Sequence, residues 1–211
     1  MPNWCSNTLT LTHEDPEMIH RAKAAFEQGR FLDEFVPVPK ALKETMSGSH
    51  SDPEAQAQLV AQTEDNIKKY GYGNWYDYCV NTWGTKWDVG DPSGINTFDD
   101  HELVVYFDSA WSPPVGAYEH LMDLGFSVYA TYYESGCAFA GIWDNGSDDH
   151  YDLSGMDSQL VRDNLPEELD EAFGISESMA EYEAEQEDEV TVWYKDGVED
   201  CGLEPHEKPK S

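Results

Sequence analysis

Residues 81–88, NTWGTKWD, place a lysine between two tryptophans. Trp83, Lys86 and Trp87 could form an aromatic wall with a cation, which is a combination that stacks a nucleobase or holds an anion. With Trp111 they define a candidate pocket for a small ligand, such as a nucleotide signal.

The same stretch also has a structural interpretation. A helix could end at the glycine and a strand could follow over residues 85–89, with Trp87 packed inward. Lys86 would then form an ion pair with Asp88 or Asp77. The sequence leaves both interpretations open.

Candidate nucleophiles are present elsewhere, but each has a structural role that explains it. The stretch 107–114, FDSAWSPP, contains Asp108, Ser109 and Ser112. A catalytic serine needs an adjacent base, and His120 lies about two helical turns further along, so Ser112 is predicted to cap the following helix. Cys137 is predicted to be buried in a strand, where a thiol has a raised pKa and is inert. We assign no catalytic residue, and the sequence favours a protein that is not an enzyme.

Residues 144–152, DNGSDDHYD, are rich in carboxylates and include His150. Oxygen-rich loops of this kind can bind Ca²⁺ or Mg²⁺. The stretch does not follow the EF-hand pattern, because its glycine is misplaced and the twelfth position is Gly155 instead of Glu. The structural interpretation is a turn with solvated acids, and we predict no metal and no cofactor.

The chain carries a large excess of acid, with 43 Asp and Glu against 12 Lys and Arg and a formal net charge of −31. Residues 144–200 hold 20 acids and 2 bases, whereas residues 1–143 hold 21 acids and 8 bases. Such a field repels nucleic-acid backbones and anionic membranes, so direct binding to either is not expected. It attracts basic protein surfaces at low salt.

The acidic stretch 177–190, ESMAEYEAEQEDEV, contains no lysine or arginine. On a helix its glutamates form rows with carboxylates about 5–6 Å apart, comparable to phosphates along a DNA strand. Apolar residues at helical spacing, from Leu160 to Tyr182, predict that the segment is folded and holds its acids outward. The alternative is a surface that only keeps the protein soluble. The candidate partner-binding residues are Asp163, Glu167, Glu168, Asp170, Glu171, Glu177, Glu181, Glu183, Glu185 and Glu187.

Periodicity predicts a mixed fold. Strands are predicted at residues 8–12, 85–89, 102–110, 126–134 and 137–145, and longer helices at 16–29 and 53–70. Helices on one face of a largely antiparallel sheet form the ferredoxin-like α+β plan. We expect this domain at residues 1–153, with a helical insert at about residues 40–84. An acidic, mainly helical extension follows at residues 154–211 and ends in a polar tail; within it, helices are predicted at 156–164, 166–173 and 176–186, and a strand at 190–194.

The cysteines and the first residues of the chain indicate the cellular compartment of the protein. The four cysteines are far apart and show no zinc-type spacing. The start, MPNWCSNTLTLTH, lacks the features of a signal peptide, and no apolar stretch approaches the roughly 20 residues that span a bilayer. We therefore expect a cytoplasmic protein with reduced cysteines.

Four stretches together resemble the YubB-like proteins of bacteriophages and conjugative plasmids: MPNWCSN at the start, NTWGTKWD at 81–88, FDSAWSPP at 107–114 and YYESGCAFAGIW at 132–143. The resemblance covers roughly residues 1–153 and implies a ferredoxin-like domain. It implies no established activity and no catalytic residues. Mobile elements of this kind often carry small proteins that blunt host defences, which would place the protein in a host cytoplasm.

Two hypotheses follow. In the first, a non-enzymatic phage-type or plasmid-type protein uses its acidic C-terminal face to bind and inhibit a basic host protein, such as a nuclease or another defence component, by mimicking nucleic acid. In the second, the ferredoxin-like domain binds a small ligand in the pocket of Trp83, Lys86, Trp87 and Trp111.

Overall fold

The computed structural model describes residues 3–186. The chain divides after Ser154 into two compact units, next to the boundary expected after residue 153. The predicted strand at residues 190–194 and the candidate residue Glu187 lie outside the described residues.

The first unit is built on a six-stranded antiparallel sheet, and the predicted α+β class is confirmed. The strand order is β2-β3-β1-β4-β5-β6, and every neighbouring pair is antiparallel. The strands are β1 (Trp4–Thr12), β2 (Ile95–Phe98), β3 (Glu102–Ala110), β4 (Ser127–Glu134), β5 (Phe139–Asp144) and β6 (Ser147–Asp152).

Three helices of the first unit begin at a polar residue whose side chain satisfies a free N–H group of the first turn. Asp15 caps α1, Asp52 caps α4 and Asn74 caps α5, each by accepting a backbone N–H two or three residues ahead. The helices of the first unit are α1 (Pro16–Glu27), α2 (Phe31–Phe35), α3 (Lys40–Lys43), α4 (Pro53–Tyr70), α5 (Trp75–Thr82) and α6 (Val115–Asp123), and a 3₁₀ turn covers Pro92–Gly94.

The core lies on one face of the sheet, because strand residues alternate between the two faces. In β1, Leu9 and Leu11 point into the core, where Ile19 and Phe26 of α1 and Leu121 of α6 are also buried. This packing fixes the ends of β1 and β3, next to which the loop 84–90 runs.

One predicted strand was wrong, and the edge strand β2 was missed. Residues 85–89 do not form a strand, because Gly84 and Gly90 both adopt positive φ, and the Asp88 side chain turns to α2. The edge strand β2 was not predicted, because its four residues alternate too briefly to give a pattern.

The second unit contains α7 (Ser158–Asn164), α8 (Glu167–Phe173) and a helix over residues 175–186. Its buried apolar residues are Val161, Leu165, Leu169 and Ile175. Leu160 and Tyr182 were assigned to the buried face by the sequence pattern, but they are 46% and 63% exposed. Within residues 3–186, no helix combines the length and the apolar character needed to cross a bilayer.

Candidate functional site

A cleft of about 380 Å³ opens on the first unit where α2, α3 and α5 meet the loop 84–90. We call it the aromatic cleft. Three of its lining residues are tryptophans and three are basic, although the whole chain has only 12 lysines and arginines. The lining consists of Arg30, Asp33, Val38, Lys43, Trp75, Cys79, Trp83, Lys86, Trp87 and Asp88.

Lys86 is surrounded by aromatic rings. Its Nζ lies 4.4 Å from the ring centroid of Trp87, 5.4 Å from that of Trp111 and 5.8 Å from that of Tyr76. Among residues 3–186, Lys86 forms no ion pair, so the predicted pairing with Asp88 or Asp77 was wrong. The lysine therefore presents a positive charge that no carboxylate of the described chain neutralises.

The two other basic residues of the aromatic cleft are paired. Lys43 Nζ lies 2.6 Å from Asp33 Oδ2, and Arg30 contacts the carboxylate of Glu34. Since an ion pair cancels much of the local charge, Lys86 is the basic residue of the cleft lining that, within residues 3–186, stays without a carboxylate partner and can attract an anionic group.

The inner wall of the aromatic cleft is formed by buried residues without a reactive nucleophile. Trp83 is buried, and its Nε1 donates to the carbonyl oxygen of Val36 at 2.8 Å. Cys79 is also buried, and burial, together with the nearby Asp88 and Asp33, raises the pKa of its thiol to about 12. A thiol with such a pKa is not a nucleophile at neutral pH.

Asp88 supports the floor of the aromatic cleft. Its carboxylate accepts from the backbone N–H groups of Leu32 at 2.6 Å, Asp33 at 2.9 Å and Val89 at 2.8 Å. It thus caps the first turn of α2 from a distant loop. Burial raises the pKa of Asp88, although these three hydrogen bonds act in the opposite direction.

Trp111 contacts the lysine from outside the cleft lining. Its backbone has φ 71°, a left-handed conformation that a bulky residue adopts only under strain. Its backbone N–H donates to the carbonyl oxygen of Asn3 at 2.9 Å, which holds this conformation. The ring then packs edge-on against Tyr76, with the centroids 6.3 Å apart.

The structure brings all four residues of the predicted pocket together. Trp83, Lys86 and Trp87 line the aromatic cleft, and Trp111 contacts Lys86. Trp87 is 39% exposed, so the prediction that it packs inward was wrong. The sequence did not identify Tyr76, Trp75, Arg30 and Lys43, which reach the site through long-range packing; the aromatic content of residues 74–83, NWYDYCVNTW, was the available signal.

The serines of residues 107–114 form hydrogen bonds to the backbone. Ser112 Oγ donates to the carbonyl oxygen of Gly84 at 2.5 Å, and Ser109 Oγ donates to that of Ser112 at 2.8 Å. The prediction that Ser112 caps α6 was wrong, because Pro114 occupies the cap position. His120 Nδ1 donates to the carbonyl oxygen of Gly116 at 2.7 Å, so these contacts give no serine–histidine pair.

Cys137 is exposed in the turn between β4 and β5, so the prediction of a buried strand cysteine was wrong. The turn occupies residues 135–138, because the Glu134 carboxylate accepts the backbone N–H groups of Gly136 and Cys137 and holds them outside the ladder.

Residues 144–152 comprise the last residue of β5, a two-residue turn and the strand β6. The turn residues Asn145 and Gly146 both have positive φ, as a type I′ turn requires. The carboxylate of Asp148 accepts the hydroxyl of Tyr132 at 2.7 Å. Within residues 3–186, no cluster of His, Cys, Asp and Glu has an arrangement that could hold a metal ion.

Most of the described acids proposed for partner binding point to solvent. The exposed ones are Asp163, Glu167, Glu168, Glu171, Glu177, Glu181 and Glu185.

Asp170 and Glu183 are partly buried, and for them the prediction of an outward carboxylate was wrong. Asp170 accepts from the backbone N–H and hydroxyl of Ser176 at 2.7 and 2.6 Å. Glu183 accepts from the backbone N–H and hydroxyl of Ser158 at 2.8 and 2.7 Å. Both carboxylates stabilise the first turn of a helix, so they serve the fold of the second unit.

Comparisons with known proteins identify no family for this chain. No family model matches it, and no curated protein matches it. Among solved structures, it is similar to the crystal structure of the protein api92 from Yersinia pseudotuberculosis, of the family DUF1281, at 12% sequence identity and a TM-score of 0.36. That alignment covers 74% of this chain and 99% of the other.

Proposed function

We propose that this is a binding protein whose site is the aromatic cleft, and that its ligand is a small anion with a planar ring, such as a nucleotide. A single observation carries this proposal: Lys86 lies against three aromatic rings and forms no ion pair among residues 3–186. The anionic group would pair with Lys86, and the planar ring would stack on Trp87 or Trp75.

The electrostatics of the chain support this assignment. At a net charge of −31, the average surface repels anions, so an anionic ligand needs a site where the local field is reversed. Lys86 provides that reversal next to low-dielectric ring surfaces, where a charge interaction is stronger than in water. The volume of about 380 Å³ lies in the range of small-molecule sites.

A ligand panel with matched lysine variants tests the aromatic cleft. Wild-type protein is titrated with ATP, GTP, NAD and cyclic dinucleotides, and binding is measured by thermal shift and calorimetry. Lys86→Met retains the aliphatic stem and is expected to weaken binding by about tenfold or more, because a charge-assisted contact is lost.

Lys69→Met is the control, because Lys69 also lies over an aromatic ring, that of Tyr70 at 4.9 Å, but does not line the aromatic cleft. It should leave binding unchanged. A panel with no response in the wild-type protein, or equal losses in the two variants, would overturn the proposal.

A second function, binding of a basic host protein in place of nucleic acid, is favoured by a different observation. Seven of the candidate partner-binding carboxylates in the described part of the second unit are exposed, while the apolar residues Val161, Leu165, Leu169 and Ile175 are buried. Acids held on folded helices act as a fixed array, whereas acids on a loose tail act as a diffuse cloud. The resemblance to phage and plasmid proteins makes a host defence protein in the cytoplasm the expected partner.

Two triple variants of equal net charge test this function. Glu177, Glu181 and Glu185 are changed to Gln in one, and the exposed Glu17, Glu54 and Glu64 of the first unit in the other. Nucleic-acid-binding proteins captured from host lysate at low salt should be lost only with the first triple, and added duplex DNA should displace them. Equal losses from both triples would show that net charge alone attracts the proteins, and the mimicry hypothesis would fail.

We infer that β1–α1–β2–β3–α6–β4 is a ferredoxin-like core, because this element order with the all-antiparallel strand order β2-β3-β1-β4 matches the split βαβ plan. Helices α2 to α5 are then an insert after α1, and β5 and β6 extend the sheet at one edge.

A further inference from the structure

A second cleft, of about 280 Å³, opens on the other side of the loop 84–90 and is also lined by Trp87. Its walls are Trp4 at the start of β1, Tyr106 and Asp108 of β3, and the turn that contains Asp91. We call it the acidic cleft, because its lining includes three aspartates and no lysine or arginine.

Aromatic rings in the acidic cleft are open to solvent. Trp4 is 48% exposed and Tyr106 is 49% exposed. Trp4 packs against Trp87 with the ring centroids 5.9 Å apart. The alternation of β1 and β3 places Trp4, Tyr106 and Asp108 on the sheet face opposite the core, because Cys5 and Leu9 point the other way.

Two carboxylates accompany these rings and remain without a cationic partner among residues 3–186. Asp108 Oδ1 accepts the hydroxyl of Ser6 at 2.8 Å, and Asp91 Oδ1 accepts the backbone N–H of Ser93 at 2.8 Å. The hydrogen bonds from Ser93 lower the pKa of Asp91, so this carboxylate is ionised at neutral pH. Asp88 also lines the acidic cleft, but its oxygens are already bonded to backbone N–H groups.

The aromatic rings and the carboxylates of the acidic cleft both favour a positively charged ligand. A guanidinium group stacks flat on a tryptophan and can donate in parallel to a carboxylate, which a compact ammonium cannot do. The chain already shows that Trp87 accepts a cation on its ring, because Lys86 Nζ lies 4.4 Å from the ring centroid.

We propose that the acidic cleft binds the side chain of an arginine on a basic partner protein, with the guanidinium stacked on Trp4 and paired with Asp108, while Tyr106 and Asp91 line the rest of the cleft. This site is independent of the anion site at Lys86 and of the carboxylates of the second unit. The net charge of −31 would attract such a partner before the arginine enters.

Nuclear magnetic resonance of the indole N–H groups tests the site in the full chain. The probe is N-acetyl-arginine amide, and the comparison is N-acetyl-citrulline amide, which has nearly the same shape but no charge. Trp4→Phe and Trp87→Phe assign the two relevant signals. Arginine should shift both signals with saturation, at a dissociation constant on the order of millimolar for a single side chain. Equal shifts from citrulline, or an unmoved Trp4 signal, would overturn the proposal.

Two variants separate this site from the aromatic cleft. Asp108→Asn preserves the shape of an exposed side chain and should weaken arginine binding by about threefold or more, since one charged partner is removed. Lys86→Met should keep arginine binding at least as strong as in the wild-type protein, because it removes a like charge near Trp87, although it weakens binding at the proposed anion site. Arginine binding that is unchanged in Asp108→Asn would contradict the inference, whatever the outcome of the nucleotide panel.

Discussion

Among single residues, the described cysteines differ in the solvent exposure of their thiols. Cys5 and Cys79 are buried, and burial raises the pKa of each to about 12, whereas Cys137 lies exposed in a turn. A buried thiol of this kind behaves as a small hydrophobic side chain. The sequence predicted this behaviour for Cys137, where the turn after β4 prevents it.

We therefore expect alkylation to discriminate between the three cysteines. In a Cys201→Ser background at pH 8, a thiol of pKa about 12 is only about one part in 10⁴ thiolate, so Cys5 and Cys79 should react only after denaturation. Iodoacetamide should add one equivalent quickly to the folded protein, measured by mass spectrometry. The Cys137→Ser variant should take up none. Rapid addition of two or three equivalents would contradict the assigned burial.

Trp111 shows what a local pattern does not reveal about the candidate site. The sequence predicted a pocket of tryptophans with a lysine, because the residue types are visible in NTWGTKWD. The ring of Trp111 lies over Lys86 while its backbone adopts φ 71°, and a hydrogen bond to Asn3, more than 100 residues away, holds that backbone conformation. Long-range constraints of this kind have no signature in residue types or spacing.

At the scale of secondary structure, elements with a long periodic pattern and a local cap were predictable. Asp52-Pro53 and the apolar spacing that follows define α4, and the alternation in β3 and β4 defines the sheet. Polar and apolar residues also alternate at 85–89, but the backbone there forms a loop from which Asp88 caps α2. Tertiary hydrogen bonding overrode the local preference, and the resulting loop carries both Lys86 and Asp88.

The cap that Asp88 provides should therefore contribute to stability. Asp88→Ala removes the acceptor for the N–H groups of Leu32 and Asp33 and should lower the free energy of unfolding by about 1–2 kcal/mol. Urea denaturation measures the difference. Asp123→Ala, at an exposed position near the end of α6, is the control and should change stability by less than about 0.5 kcal/mol. Equal stability of the two variants would show that α2 does not depend on this cap.

Negative charge dominates the chain as a whole, whereas exposed aromatic rings line two small clefts of the first unit. Trp87 lines two clefts. Within residues 3–186, Lys86 of the first cleft forms no ion pair, and the aspartates of the second have no cationic partner. Carboxylates elsewhere give the surface one dominant sign, which attracts basic partners without selecting among them. To distinguish one partner from another, the protein needs binding sites of defined geometry. The exposed tryptophans of the two clefts can form such sites, because aromatic residues contribute much of the binding energy at interfaces.

The same excess of acid should oppose folding through self-repulsion. At a net charge of −31, the folded chain holds its carboxylates closer together than the unfolded chain does, so screening by salt should stabilise it. We expect the melting temperature at pH 7 to rise by several degrees between low and moderate sodium chloride, since about 1 kcal/mol corresponds to 2–4 °C for a chain of this size. Choline chloride at equal ionic strength should have a similar effect, because screening depends on ionic strength and not on a bound sodium ion. A melting temperature that falls as salt is added would mean that ion pairs such as Arg21–Glu34 and Lys43–Asp33 contribute more than repulsion costs.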